Sequence, residues 1–128
     1  MIVLDASVLI AHLDARDRHH SRAVAMLNAN PAQDLAASTL TIAEVLTGPA
    51  RAGTLDRAIA AIARLGVISL PITERSTSRL ALLRAESRVK MPDCCVLLAA
   101  EESGAMVATF DLHLAGVARE RGISLIEP

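Results

Sequence analysis

A chain of 128 residues with 52% hydrophobic side chains has material for one domain spanning residues 1–128, and its formal net charge of −1 announces no bulk attraction to nucleic acid. One Phe and no Trp or Tyr argue against the exposed ring platforms on which many RNA-binding sheets stack bases. The apolar start lacks a basic flank and carries Asp5 inside the run, unlike a signal peptide, and no apolar run reaches the ~18 residues of a membrane helix.

In chain order, Ile2–Leu4 reads as a strand buried on both faces, and Ser7–Leu13 as a helix. His19–Asn28 is a second helix stopped by Asn30-Pro31, and Leu35–Ser38 a second strand. Thr41–Leu46 reads as helix, interrupted by Gly48-Pro49. Thr54–Leu65 places Leu55, Ile59, Ile62 and Leu65 at helical spacing before Gly66, and Val67–Leu70 is a third strand. Thr73–Arg88 is predicted as one long helix. Pro92-Asp93 opens another that runs through Glu102 to Gly104. Ala105–Ala108 is a fourth strand, Leu112–Arg121 a helix ending at Gly122, and Ile123–Ile126 a fifth strand. Alternating strands and helices predict a three-layer α/β/α domain with a parallel five-stranded sheet.

In such sheets sites form beyond the carboxyl ends of the strands. Asp5 follows the first strand, Asp111 follows the fourth, Asp93 starts a helix, and Glu44 lies early in the helix after strand two. Each has an ordinary explanation: Asp5, Asp93 and Asp111 suit helix caps, and Thr41 with Glu44 matches a capping box. Caps have no reason to converge, however, whereas these acids would gather on one sheet edge. Four neighbouring carboxylates repel unless a cation sits among them, and an all-oxygen set suits Mg²⁺ or Mn²⁺. Such ions activate water for attack on a phosphoryl centre, so the acids point to phosphate or phosphodiester chemistry.

The stretches Ile2-Val3-Leu4-Asp5-Ala6-Ser7, Leu40-Thr41-Ile42-Ala43-Glu44-Val45, Pro92-Asp93 with Leu97-Leu98-Ala99-Ala100, and Ala108-Thr109-Phe110-Asp111 together resemble the PIN-domain ribonucleases, in particular the toxins of VapBC-type toxin–antitoxin pairs. Each motif is short; the four in this order and spacing cover essentially the whole chain. The resemblance implies a PIN fold, a homodimer, Mg²⁺ or Mn²⁺ dependence, and a toxin that cleaves RNA phosphodiesters by a metal-activated water until a VapB-type antitoxin neutralises it. It maps the catalytic and metal-binding quartet onto Asp5, Glu44, Asp93 and Asp111. Asp5 and Asp93 are expected as direct ligands, Glu44 and Asp111 as partners acting partly through water, and Thr109 and Ser7 as orienting groups. Cys94-Cys95 departs from the small or aliphatic residues such proteins carry there.

Those adjacent cysteines suit neither a mutual disulfide nor a common zinc spacing, and read as reduced thiols of a cytoplasmic protein. Twelve of the thirteen basic residues are arginine, whose planar fork suits phosphate. Arg84 and Arg88 would share a helix face near Pro92-Asp93, either reaching RNA or pairing with Glu86 or Glu74. His12, His19 and His20 lack the spacing of helical metal ligands, and His113, two residues after Asp111, reads as helix surface or else a substrate contact. Leu55–Leu65 reads as a packing helix, in the core or in a dimer or antitoxin groove. A dehalogenase-like phosphatase would need a second Asp where Ser7 stands, and a receiver module a late lysine, whereas the one lysine is Lys90. The remaining alternative is a PIN-fold interaction module that binds its antitoxin without cutting RNA.

Overall fold

The structure is a computed structural model, describing residues 1–126. β1 (Ile2–Leu4) is the hub of the sheet, and all three of its side chains are fully buried. It pairs in parallel with β2 (Leu35–Ser38) on one side and β4 (Met106–Ala108) on the other; β3 (Ile68–Leu70) adds to the outer side of β2. The order is therefore β3-β2-β1-β4, with Ile2 opposite both Leu35 and Met106.

Strand alternation sorts the core into two halves. Ile2, Leu4, Ala37 and Ala108 point to one face, packing on α1 (Ala6–Leu13), α2 (His20–Asn28), α3 (Thr39–Ala52) and α4 (Leu55–Leu65). Val3 and Val107 point to the other, beneath α5 (Thr77–Glu86), α6 (Met91–Ser103) and α7 (Leu112–Glu120). The three-layer α/β/α architecture is the one predicted. In α6 every residue from Cys94 to Ala100 is buried, the pattern of a helix enclosed all round. No helix among the described residues is long and apolar enough to cross a membrane.

Among the described residues the sheet has four strands, not five. Gly122 takes a left-handed φ of 75°, and the Ile123 amide then bonds back to Ala118 O at 2.9 Å, which holds Ile123 to the end of α7. Pairing starts only beyond it, as a single parallel bridge between Val107 and Leu125.

Two helices also differ from their predicted spans. α3 runs through Gly48-Pro49 to Ala52 and ends at Gly53, at φ 75°. Pro49 lies in its last turn, where the missing N–H costs one hydrogen bond, and its own carbonyl accepts from Thr54 N at 2.9 Å. The long helix predicted from Thr73 instead opens as a 3₁₀ turn, Glu74–Ser76, and α5 stops at Glu86. Ser87 turns extended so that Val89, only 1% exposed, can enter the core. Arg88 consequently lies in a loop, off the helix face of Arg84, and Glu86 pairs with Arg121 at 3.4 Å.

Candidate active site

From β1 the chain moves outward to β2 and β3, then returns across the sheet to β4 on the far side of β1. This reversal makes the region beyond the carboxyl ends of β1 and β4 the usual ligand position of an open parallel sheet. Asp5 and Thr109 are the first residues past those two ends. The Asp5 amide bonds Ala108 O at 3.0 Å, closing the two strand ends together.

Asp5 stands at the N-cap position of α1, yet its carboxylate makes no capping bond. Oδ2 instead accepts from Ser7 Oγ at 2.7 Å and Thr109 Oγ1 at 2.8 Å. The residue is 7% exposed, so two short hydroxyl contacts hold a nearly buried carboxylate in one orientation. Both hydroxyls are themselves fixed: Ser7 Oγ accepts the Phe110 amide at 3.0 Å, and Thr109 Oγ1 accepts the Asp111 amide at 3.0 Å.

Asp111 is a true cap. Its Oδ1 accepts the amides of His113 and Leu114 at 2.8 and 3.0 Å, starting α7. Glu44 is freed from the capping box, because α3 begins earlier than its pattern indicates. Ser38 is the N-cap, accepting from Leu40 N at 3.3 Å, and Thr41 is buried with an unpartnered hydroxyl. Glu44 thus sits inside the helix with its side chain largely in solvent, and partial desolvation, then the Asp5 charge, raises its pKa. Asp93 occupies the first turn of α6.

The four acids meet electrostatically at Asp93. Its carboxyl is pushed up to about 6, first by burial and then by the negative fields of Asp5, Asp111 and Glu44, with His113 pulling the other way. His113 approaches from α7, its Nε2 3.2 Å from Arg88 O, so the loop before α6 is tied to the same edge.

Among the described residues, no three His, Cys, Asp or Glu side chains are arranged to hold an ion by themselves. The donor set nevertheless fits Mg²⁺ or Mn²⁺: it is all oxygen, the neighbouring carboxylates help raise the pKa values of Glu44 and Asp93, and Mg²⁺ characteristically keeps several waters while taking one or two carboxylates. Cys94 and Cys95 are free thiols in α6, 0% and 2% exposed, pointing to packing. Beside Glu44, a groove of about 730 Å³ runs between α1, α3 and α4, lined by Ile10, Leu13, Pro49, Arg57 and Arg64 among others.

Sequence reasoning did not anticipate the stack of His19 on Phe110 with Arg22 above it. No local pattern links the start of α2 to the loop after β4.

The PIN-domain family profile matches residues 2–120. Solved structures align over nearly the full chain. The Mycobacterium tuberculosis toxin VapC20, a sarcin-ricin loop cleaving toxin, is 19% identical with a TM-score of 0.76, covering 91% of this chain and 95% of its own. A toxin–antitoxin complex from Klebsiella pneumoniae is 24% identical with a TM-score of 0.77, covering 91% and 92%. FitAcB from Neisseria gonorrhoeae is 22% identical with a TM-score of 0.77, covering 100% and 98%. No curated protein matches.

Proposed function

The chain belongs to the PIN-domain family, and from that premise we propose that it is a Mg²⁺- or Mn²⁺-dependent endoribonuclease, the toxin of a type II toxin–antitoxin pair. The observation that carries the reading is the gathering of Asp5, Glu44, Asp93 and Asp111 at the carboxyl ends of β1 and β4, where burial first and the other three charges next raise Asp93 to about 6. A carboxyl so raised is a poor permanent anion and a good partner for a divalent cation, which would displace its proton.

Asp5 and Asp93 would hold the ion directly, with Glu44 and Asp111 acting through water. When bound, the ion supplies Lewis acidity at the phosphate and lowers the pKa of an attacking water. Ser7 and Thr109 hold the Asp5 carboxylate in one orientation just past β1, and Asp111, fixed by its capping bonds, stands past the end of β4. A VapB-type antitoxin is the proposed partner, supported by the apolar groove beside Glu44 and by Leu55 and Ile59 of α4, which are 38% and 46% exposed. A homodimer and a cytoplasmic setting accompany the reading by likeness to the family.

The test is cleavage of single-stranded and structured RNA with Mg²⁺ or Mn²⁺. Asp5→Asn and Asp93→Asn are expected to lose cleavage and keep a native circular dichroism spectrum. Retained cleavage by rigorously purified Asp93→Asn sinks the assignment. Among the described residues no ligand triad is preassembled, which favours one rival, a module that binds its antitoxin without cutting. Failure to cleave RNA under any divalent metal would turn the conclusion to that rival.

A further inference from the structure

The edge that would receive RNA is negative, and a polyanion needs fixed positive charge beside it. One arginine near this edge is held in place without being neutralised. Arg22, exposed in the first turn of α2, forms no ion pair with any acid among the described residues, and that turn carries no acidic side chain. Its guanidinium carbon lies 5.2 Å from the centroid of the Phe110 ring, within cation–π range. A guanidinium held over a ring face keeps N–H donors available to a phosphate, because the ring takes none of them as a conventional acceptor.

Phe110 is itself anchored. The His19 ring stacks on it at 4.7 Å and 25°. Its amide donates to Ser7 Oγ at 3.0 Å, and that hydroxyl donates to Asp5 Oδ2 at 2.7 Å. The chain's one Phe also stands between Thr109, which donates to Asp5, and Asp111. Arg22 is therefore mounted on the same hydrogen-bonded framework that orients Asp5.

We propose that the Arg22–Phe110–His19 stack is a clamp for an RNA backbone phosphate flanking the cleaved bond, with Arg22 as the contacting residue and Phe110 and His19 as its positioning residues. The inference rests on the ribonuclease reading above for its substrate, and it adds where the strand is gripped. Recognition here is of backbone, blind to base identity.

The clamp is tested by fluorescence anisotropy with a labelled, unstructured oligoribonucleotide, in the Asp93→Asn background with Mg²⁺, across a salt series. Adding Arg22→Ala is expected to weaken binding about tenfold, the loss of one charge-assisted contact, and to lower the salt slope by about 0.7. Arg22→Lys should restore the slope and only part of the affinity, because lysine keeps the charge without the flat stacking face. Phe110→Leu, verified as folded by thermal melting, should lose affinity although Arg22 remains. Binding within twofold of the parent and an unchanged slope for Arg22→Ala would overturn the clamp, as would absence of RNA binding by the parent. If the wild type cuts no RNA while Arg22-dependent binding persists, the phosphate contact at Arg22 stands, its place beside a cleaved bond falls, and the nuclease reading falls with it. If the wild type cuts RNA and Arg22→Ala binds it equally well, the reverse holds.

Discussion

Thr109 Oγ1 donates to Asp5 Oδ2 at 2.8 Å, joining side chains 104 positions apart in sequence. That bond exists because β1 and β4 are paired in register, Leu4 opposite Ala108, so the residues leaving their carboxyl ends emerge side by side. Thr109 also accepts the Asp111 amide at 3.0 Å, so one hydroxyl sets the positions of two of the four acids.

Thr109→Val keeps the shape of the side chain and removes both bonds. Metal affinity or cleavage is expected to fall roughly 10- to 100-fold, the usual effect of removing a group that orients a ligand. Thr109→Ser, which keeps the hydroxyl, should recover most of it. A Thr109→Val protein with wild-type metal titration and cleavage would show that Asp5 needs no such support.

Asp93 provides a pH-dependent stability test. Its folded pKa, about 6, lies above its ordinary value of 3.8, so the folded state binds the proton more tightly than the unfolded chain. The fold therefore loses stability as pH rises through that window, and the whole loss is present above about 6. In EDTA at pH 7.5, Asp93→Asn is expected to melt above wild type, with the gap closing as pH falls toward about 4. Mg²⁺ should narrow the gap at pH 7.5 by stabilising the wild type. Equal melting temperatures in EDTA at pH 7.5 would show that Asp93 carries no such burden.

Much of the framework was legible because it depends on short-range pattern. Ile2–Leu4 followed by Asp5, and Ala108 followed shortly by Asp111, read directly as strand ends carrying acids. What stayed hidden depends on partners distant in sequence. Ser38 and Thr41 are both suitable caps for the start of α3; Ser38 takes the role because β2 extends to it, paired there with Leu70, and Glu44 is thereby released. Arg84 and Arg88 have helical spacing, but drawing Val89 into the core ends α5 at Glu86 and takes Arg88 off that face. The stacking of His19 on Phe110 arises from α2 meeting the β4–α7 loop, which no local spacing encodes.

The cysteines beside Asp93 yield a chemical prediction. Cys95 is pushed up to about 11 by burial first, then by Cys94 and Glu44, and burial also raises Cys94. Raised thiols hold little thiolate at pH 8, and the thiolate is the reactive form. Native protein should therefore leave Ellman's reagent almost unreacted at pH 8, with two thiols titrating in guanidinium chloride. Rapid labelling of the native protein would show that α6 opens at its amino end and that the site is oxidation-sensitive.

Glu101 ties the outer layer together on the opposite face. Its Oε1 accepts from Arg121 Nε at 2.6 Å and its Oε2 from Arg79 Nη2 at 3.0 Å, linking α5 and α6 to the end of α7. Isolated surface pairs contribute little, but this carboxylate is only 20% exposed and serves two arginines, so the pair energies reinforce one another. Glu101→Ala is expected to cost about 1 kcal/mol, roughly a 4 °C drop in melting temperature for a chain of this size. The drop should shrink at about 1 M salt, where the screening length is about 3 Å. A loss unchanged by salt would assign the effect to packing of the Glu101 stem, and no loss at all would leave the two arginines as solvated surface groups. Because these contacts lie away from Asp5 and Asp93, cleavage by Glu101→Ala below its melting range should match wild type, separating stability of the scaffold from chemistry at its edge.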